Sequence, residues 1–325
     1  MNRIPLFEQT LPETPVMRLR QEYAGNVIYV KRDDLLPFAF GGNKVRKAAE
    51  FYHAIVKQAP DVIMTYGSEG SNHCRVIALM AHAMGLKCHI IAAESNENHR
   101  VSANRRMVLA AGATVKTVPV SAVAETIENE KERLMQNGAR VYFIPGGGHG
   151  KPGTEGYVKA YREILAQEEG LQVTFDKIVH ASGTGATQAG LVCGEVLSKD
   201  ANADATRILG ISIARENPRG KEVVVESVRE FFGGARKTDD FEKAVSFVDD
   251  YTLGGYGKTN DEVRALQRRL MTEESLPVDL TYTGKAFYGM LRYLTEHDIR
   301  NANILFLHTG GTPLFYDDLN DMINV

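Results

Sequence analysis

The chain has 325 residues, 43% hydrophobic and 24% charged, with 38 Lys and Arg against 41 Asp and Glu for a net charge of -3. Such proportions describe an ordinary globular protein, long enough for two domains or one large α/β unit, and the basic residues, spread without aromatic interleaving, exclude a nucleic-acid footprint. No apolar run approaches a membrane span, the start Met1 to Phe7 lacks a signal peptide's apolar centre, and Cys74, Cys88 and Cys193 have no Cys-x-x-Cys spacing, so a cytoplasmic protein with reduced, buried thiols is expected.

In chain order, β-rich runs predict strands over Val27–Lys31, Asp61–Tyr66, Lys87–Ala93, Thr114–Val118, Arg140–Ile144, Lys177–Ala181, Ile208–Ile213 and Asn303–His308. Helical spacing falls between them. Ala48, Phe51, Tyr52, Ile55 and Val56 recur on one face, with Asn43 read as the N-cap and Lys44 in the first turn. Further helices are predicted over Ser71–Met84, Arg100–Ala111, Val123–Gln136 and Gly156–Gln167, each followed by a glycine or asparagine stop. Others open after Gly183–Thr187, Gly254–Gly257 and Tyr282–Ala286. The alternation is the βαβ pattern of a parallel α/β protein. No repeat, low-complexity stretch or Pro/Ser-rich linker is present, and the best seam is Pro145–Gly153, with five glycines and two prolines.

Several strand-to-helix loops carry chemistry. In Gly41-Gly42-Asn43-Lys44, a cation in the first helical turn opposes the helix dipole; with partial burial, this favours the neutral amine, which can attack a carbonyl or hold an aldehyde cofactor. Read alone, the same run is more simply a glycine turn beside solvated charges. Ser182-Gly183-Thr184-Gly185-Ala186-Thr187 has the form of a phosphate cradle: glycines for close approach, hydroxyls, and free amides opening a helix. Gln188 replaces the third glycine of a dinucleotide fingerprint, and this loop lacks the Gly-Lys-Ser/Thr of a triphosphate loop. Gly67–Arg75 offers amides and hydroxyls for a carboxylate, or a plain N-cap at Ser71 or Asn72. Loops near Tyr256, Tyr282 and His308–Thr312 supply phenols and hydroxyls. His73, His82 and His89 lack metal-ligand spacing.

Together these loops resemble the pyridoxal-phosphate enzymes of the tryptophan-synthase β-subunit fold type, in particular the D-cysteine desulfhydrase and 1-aminocyclopropane-1-carboxylate deaminase family. The resemblance runs through Lys31–Asp34, Gly42–Lys47, Ser71–Arg75, Gly153–Val158, Gly183–Gly190, Tyr282–Ala286 and His308–Gly311. It implies two parallel-sheet, three-layer α/β domains, a large one from 1–50 and 151–325 and a small inserted one from 51–150, with pyridoxal 5'-phosphate in the cleft and a homodimeric assembly. It further implies that Lys44 bonds the cofactor aldehyde. Lys47 with Gly183, Thr184, Gly185, Ala186 and Thr187 would hold the phosphate, and Asn72 the phenolic oxygen. Ser71 would grip a small amino-acid substrate's carboxylate, while Tyr256 and Tyr282 line the reacting face as proton carriers.

Thr283 bears on the reaction. Ring-opening deaminases of the family carry Glu directly after the tyrosine, facing the pyridine nitrogen; threonine there suits β-elimination of a good leaving group, with Thr309 a second neighbour for the nitrogen. The reading is a lyase acting on D-cysteine. Alternatives are an L-cysteate or diaminopropionate lyase, the ring-opening deaminase, a β-replacement synthase, or a non-catalytic binding protein on the same fold. Two departures concern pocket chemistry: Gly70, after Glu69, replaces the family's usual glutamine, and His149 its serine.

Overall fold

A computed structural model of the chain describes residue 7 and residues 11–94, 101–198, 206–233 and 241–323, with side chains to 319. Arg100, the expected start of one helix, lies outside them. The contacts divide the chain into two compact units, one of 1–11 and 44–149, the other of 12–43 and 150–325.

The first unit holds a parallel four-stranded sheet: β3 (Val62–Ser68), β4 (Lys87–Ala93), β5 (Thr114–Val118) and β6 (Val141–Ile144), in the order β5-β4-β3-β6. Its helices are α1 (Asn43–Gln58), α2 (Asn72–Met84), α3 (Ala103–Ala110) and α4 (Val123–Gln136). Gly85, in the left-handed region at φ 73°, ends α2, its one N–H donating to the carbonyls of Ala81 and His82.

The second unit is built on six strands: β1 (Val16–Arg18), β2 (Val27–Lys31), β7 (Lys177–Ser182), β8 (Ile208–Ser212), β9 (Ser246–Val248) and β10 (Asn303–Leu307). Their order is β1-β2-β10-β7-β8-β9, with only β1 antiparallel. Around them lie α5 (Lys151–Leu171), α6 (Ala186–Ser198), α7 (Arg219–Phe232), α8 (Asp261–Glu274), α9 (Thr283–Glu296) and α10 (Thr312–Ile323). Successive strand residues enter opposite cores: Val179, Leu209, Ile304 and Phe306 pack with Phe287 and Met290 of α9, whereas Ile178, Ile208, Leu305 and Leu307 pack with Tyr157 and Tyr161 of α5 and Leu191 of α6. Burial on both faces explains why these strands read as continuous apolar runs, and it makes this unit three layers. Helices α5 and α6 approach closely because Gly190 and Gly194 lack side chains; an added Cβ would lie 2.4 Å from Tyr157 Cβ and 2.5 Å from Tyr161 Cβ, respectively.

The expected strands are present with small shifts at their ends; β1 and β9, three residues each at the sheet's edges, were not predicted, being too short to show alternation. Helix α5 starts at Lys151 rather than Gly156, because Pro152 and Gly153 occupy its first turn, where a missing N–H costs nothing. It also continues past Gly170 to a left-handed Gln172. Helix α1 begins at Asn43 itself, so that residue is helical, and its side chain binds elsewhere than on its own helix.

Candidate active site

In the six-stranded unit, the carboxyl ends of neighbouring strands β7 and β10 lead through glycine loops into α6 and α10, the edge at which open α/β sheets bind ligands. The loop before α1 is fastened to this edge. Asn43 N donates to Thr309 O at 3.0 Å, and Asn43 Nδ2 donates to Thr187 Oγ1 at 2.9 Å. The contact is backbone on backbone: a Cβ on Gly42 (φ 97°) would stand 2.8 Å from Thr309 O, so glycine is required. The residue preceding Lys44 is thus fixed against both the Gly183–Thr187 loop and the Thr309 loop. Within the former, Gly185 (φ 100°) turns the chain into α6. Gln188, 0% exposed, accepts from Ser182 Oγ and donates to Ser246 O, a structural role for the residue at the missing third glycine.

Tyr256 and Tyr282 meet oxygen to oxygen at 2.6 Å with rings edge to face. Lys285, fully buried, donates to the carbonyls of Ile213, Thr252 and Gly255, tying the Tyr256 loop to the helix that follows Tyr282. Thr283 is also fully buried. Its hydroxyl donates to Asp279 Oδ1 at 2.7 Å and accepts from Asp279 N at 3.0 Å. Asp279 takes three further N–H bonds, from Thr281, Tyr282 and Thr283, and so caps α9. Burial pushes its carboxyl upward, opposed by those bonds.

Asp318 of α10 accepts from Leu280 N and Gln267 Nε2, and burial, then the nearby Asp279 charge, push it up to about 7. The folded chain therefore keeps a proton that the unfolded chain releases near 3.8, and stability falls as pH rises from that value through about 7. Asp318→Asn, which mimics the protonated group, should accordingly melt close to the parent at pH 4 and be the more stable protein at pH 8 by about 4 kcal/mol. Equal melting of the two proteins at both pH values would contradict this.

In the other unit, Lys44 and Lys47 share one face of α1, and both Nζ atoms donate to the Gly147 carbonyl at 3.1 Å. Lys47 is 1% exposed, and no carboxylate among the described residues bonds either ammonium. Burial lowers Lys44 to about 8, and burial with the neighbouring Lys44 charge takes Lys47 well below its usual range. Desolvation, rather than the helix dipole, is thus the main activating influence. Covalent uptake of an aldehyde by the cofactor-free protein should rise with pH to half its maximum near about 8, as followed by absorbance. A midpoint near 10 would place the reactive amine elsewhere.

Ser71 caps α2, its Oγ accepting from His73 N and Cys74 N. Cys74 is pushed up to about 11 by burial and stays a thiol; Cys88 and Cys193 are likewise buried. Thr65 Oγ1 donates to Ile144 O, so His73 Nε2, 2.8 Å away, donates to Thr65. Burial and the two lysines keep that imidazole neutral. Glu69 is engaged by Thr117 Oγ1 at 3.4 Å and lies 3.9 Å from Arg105 Nη1. At Gly70 a Cβ would, among the described residues, meet only Ser102, at 3.7 Å, so these residues leave room for a side chain. Sequence reasoning passed over Asp279, four residues before Thr283 in an Asx-cap position, and the Gly147 carbonyl, for which no side-chain signal exists.

The pattern of the family described as "Pyridoxal-phosphate dependent enzyme" matches residues 7–310. The chain is 33% identical over 324 residues to a D-cysteine desulfhydrase of Yersinia enterocolitica, covering 97% of this chain and 95% of the relative. Among solved structures, an ACC deaminase homologue superposes with a TM-score of 0.81 at 30% identity, over 96% of this chain and 93% of that one. A threonine deaminase from T.th., at 17% identity and a TM-score of 0.63 over 93% of each chain, shares the fold.

The residues present fit such a cofactor. Lys44 and the buried Lys47, converging on a single carbonyl, are a donor set suited to an aldehyde and a phosphate.

Proposed function

Because the chain belongs to the pyridoxal-phosphate dependent enzyme family, we propose that it is a β-eliminating lyase of small amino acids, converting D-cysteine to pyruvate, sulfide and ammonia. The observation that carries this reading is Thr283. A hydroxyl stands where the ring-opening deaminases have a carboxylate, and its proton is already donated to Asp279. It can accept one more bond but cannot place a negative charge there.

Lys44 and Lys47, with Gly183, Thr184, Gly185, Ala186 and Thr187, would hold pyridoxal phosphate, with Asn72 on its phenolic oxygen and Thr283 or Thr309 toward its nitrogen. Bound there, the group supplies the electron sink for bond breaking at the α-carbon. Lys44, whose amine is neutral over much of the range above about pH 8, removes the α-proton. Ser71, its oxygen already accepting two amides, offers its O–H to the substrate carboxylate. The Tyr256 and Tyr282 hydroxyls can pass a proton along their shared hydrogen bond to the departing sulfur. The same reading carries a large domain of 1–50 and 151–325 with an inserted 51–150, the cofactor in the cleft between them, a homodimer and a cytoplasmic location.

The test is pyruvate release across D- and L-cysteine, β-chloroalanine, L-cysteate, serine and diaminopropionate, with D-cysteine expected to give the highest kcat/KM. Release of 2-oxobutanoate from 1-aminocyclopropane-1-carboxylate at a comparable rate would overturn the reading of Thr283.

A further inference from the structure

Asn72 Oδ1 and Nδ2 are alike in shape, so only neighbours can fix which end of the amide does what. Here a buried cation fixes it. Arg75 Nη1, a donor only, lies 2.7 Å from Asn72 Oδ1 and 2.7 Å from Asn104 Oδ1. Asn104, thereby oriented, donates through Nδ2 to Asn72 Oδ1 at 2.9 Å and to Gly70 O at 2.8 Å. Arg75 is 1% and Asn104 0% exposed, so water does not compete for these bonds. Asn72 Oδ1 therefore has two donors, while no bond from its Nδ2 is made to the described residues.

We propose that Arg75 and Asn104 are positioning residues that make Asn72 a donor-only contact for an anionic oxygen, with the guanidinium charge polarising the amide from behind. The inference rests on the reading that Asn72 meets the cofactor's phenolic oxygen. It adds that the oxygen is held as the anion: an amide presenting only N–H stabilises the ionised form and has no acceptor for the proton of a neutral hydroxyl. Asn104 lies 32 positions from Asn72 in sequence and meets it through this lock.

The test uses the holoenzyme and pyridoxal phosphate as probe, reading the pH midpoint of the visible band and the cofactor's dissociation constant. Losing a donor makes the oxygen more basic. Asn72→Ala should therefore raise the midpoint by about one unit and weaken cofactor binding about tenfold, the size of one hydrogen bond to a charged group. Asn104→Ala should do most of the same, and the double variant should go no further than Asn72→Ala. Asn104→Asp keeps the shape and the acceptor for Arg75 but has no Nδ2 proton; it should reproduce the shift even if the alanine variant fails to fold. If Asn72→Ala shifts both readouts and neither Asn104 variant does, the lock is wrong while the cofactor contact stands. If Asn72→Ala changes nothing, the contact itself is wrong and the proposal falls with it.

Discussion

Lys44→Ala should lower turnover by about three to four orders of magnitude, the usual range for removing a positioned proton-transfer group, and abolish covalent retention of the cofactor. Lys44→Arg should be as inactive, because a guanidinium neither forms the bond to an aldehyde nor releases a proton near neutrality. The contrast with Lys47 is the informative part. Both lysines reach the Gly147 carbonyl, and both are held below their ordinary range, but Lys47 is read as a phosphate anchor and not as the nucleophile. Lys47→Ala should therefore weaken cofactor binding and be partly rescued by excess pyridoxal phosphate, while Lys44→Ala should not be rescued at any concentration. Burial sets the Lys44 midpoint and the hydrogen bond with Lys47 holds it up, so Lys47→Ala should move the uptake midpoint of Lys44 downward. Steady-state rates at saturating cofactor, with uptake followed by absorbance, separate the two roles.

Asp279→Ala should destabilise the fold by about 3–5 kcal/mol, the cost of leaving buried polar groups without a charged acceptor. The carboxylate is fully buried and receives the amides of Thr281, Tyr282 and Thr283 and the Thr283 hydroxyl. Alanine leaves all of these at the start of α9, with Gly311 also built against the carboxylate: a Cβ there would lie 2.4 Å from Asp279 Oδ1. Asp279→Asn keeps one acceptor and nearly the same shape, and should cost less than half as much. Chemical denaturation of the two variants checks this; equal losses would mean that packing, not the capping bonds, makes the residue necessary. Since the same turn sets Thr283 and Tyr282, the asparagine variant should also lose activity beyond its loss of stability.

The division between what was legible and what was not follows from where the information resides. Strands β7, β8 and β10 are visible because each is apolar on both faces, and α2 because Ser71 and Gly85 mark its ends. The glycines at 42 and 185 were legible as turns because their backbones require positive φ. The three-residue strands β1 and β9 carry too little pattern, and the start of α5 was hidden because Pro152 reads as a breaker in sequence yet is harmless in a first turn. Within the candidate site, local motifs marked Lys44, Ser71 and Tyr282. Asn104 and Asp279 act through hydrogen bonds to residues that motifs did mark. Arg75 was in a quoted motif, but its orientation toward two asparagine oxygens is a property of the folded unit.

Borohydride reduction of the enzyme incubated with pyridoxal phosphate, followed by peptide mapping, tests the central claim most directly. The visible band should bleach, and a reduced pyridoxyl adduct should appear on Lys44 in near-stoichiometric yield. A protein that stays colourless with pyridoxal phosphate, or an adduct found on Lys47 with Lys44 unmodified, would contradict the assignment of the reactive amine.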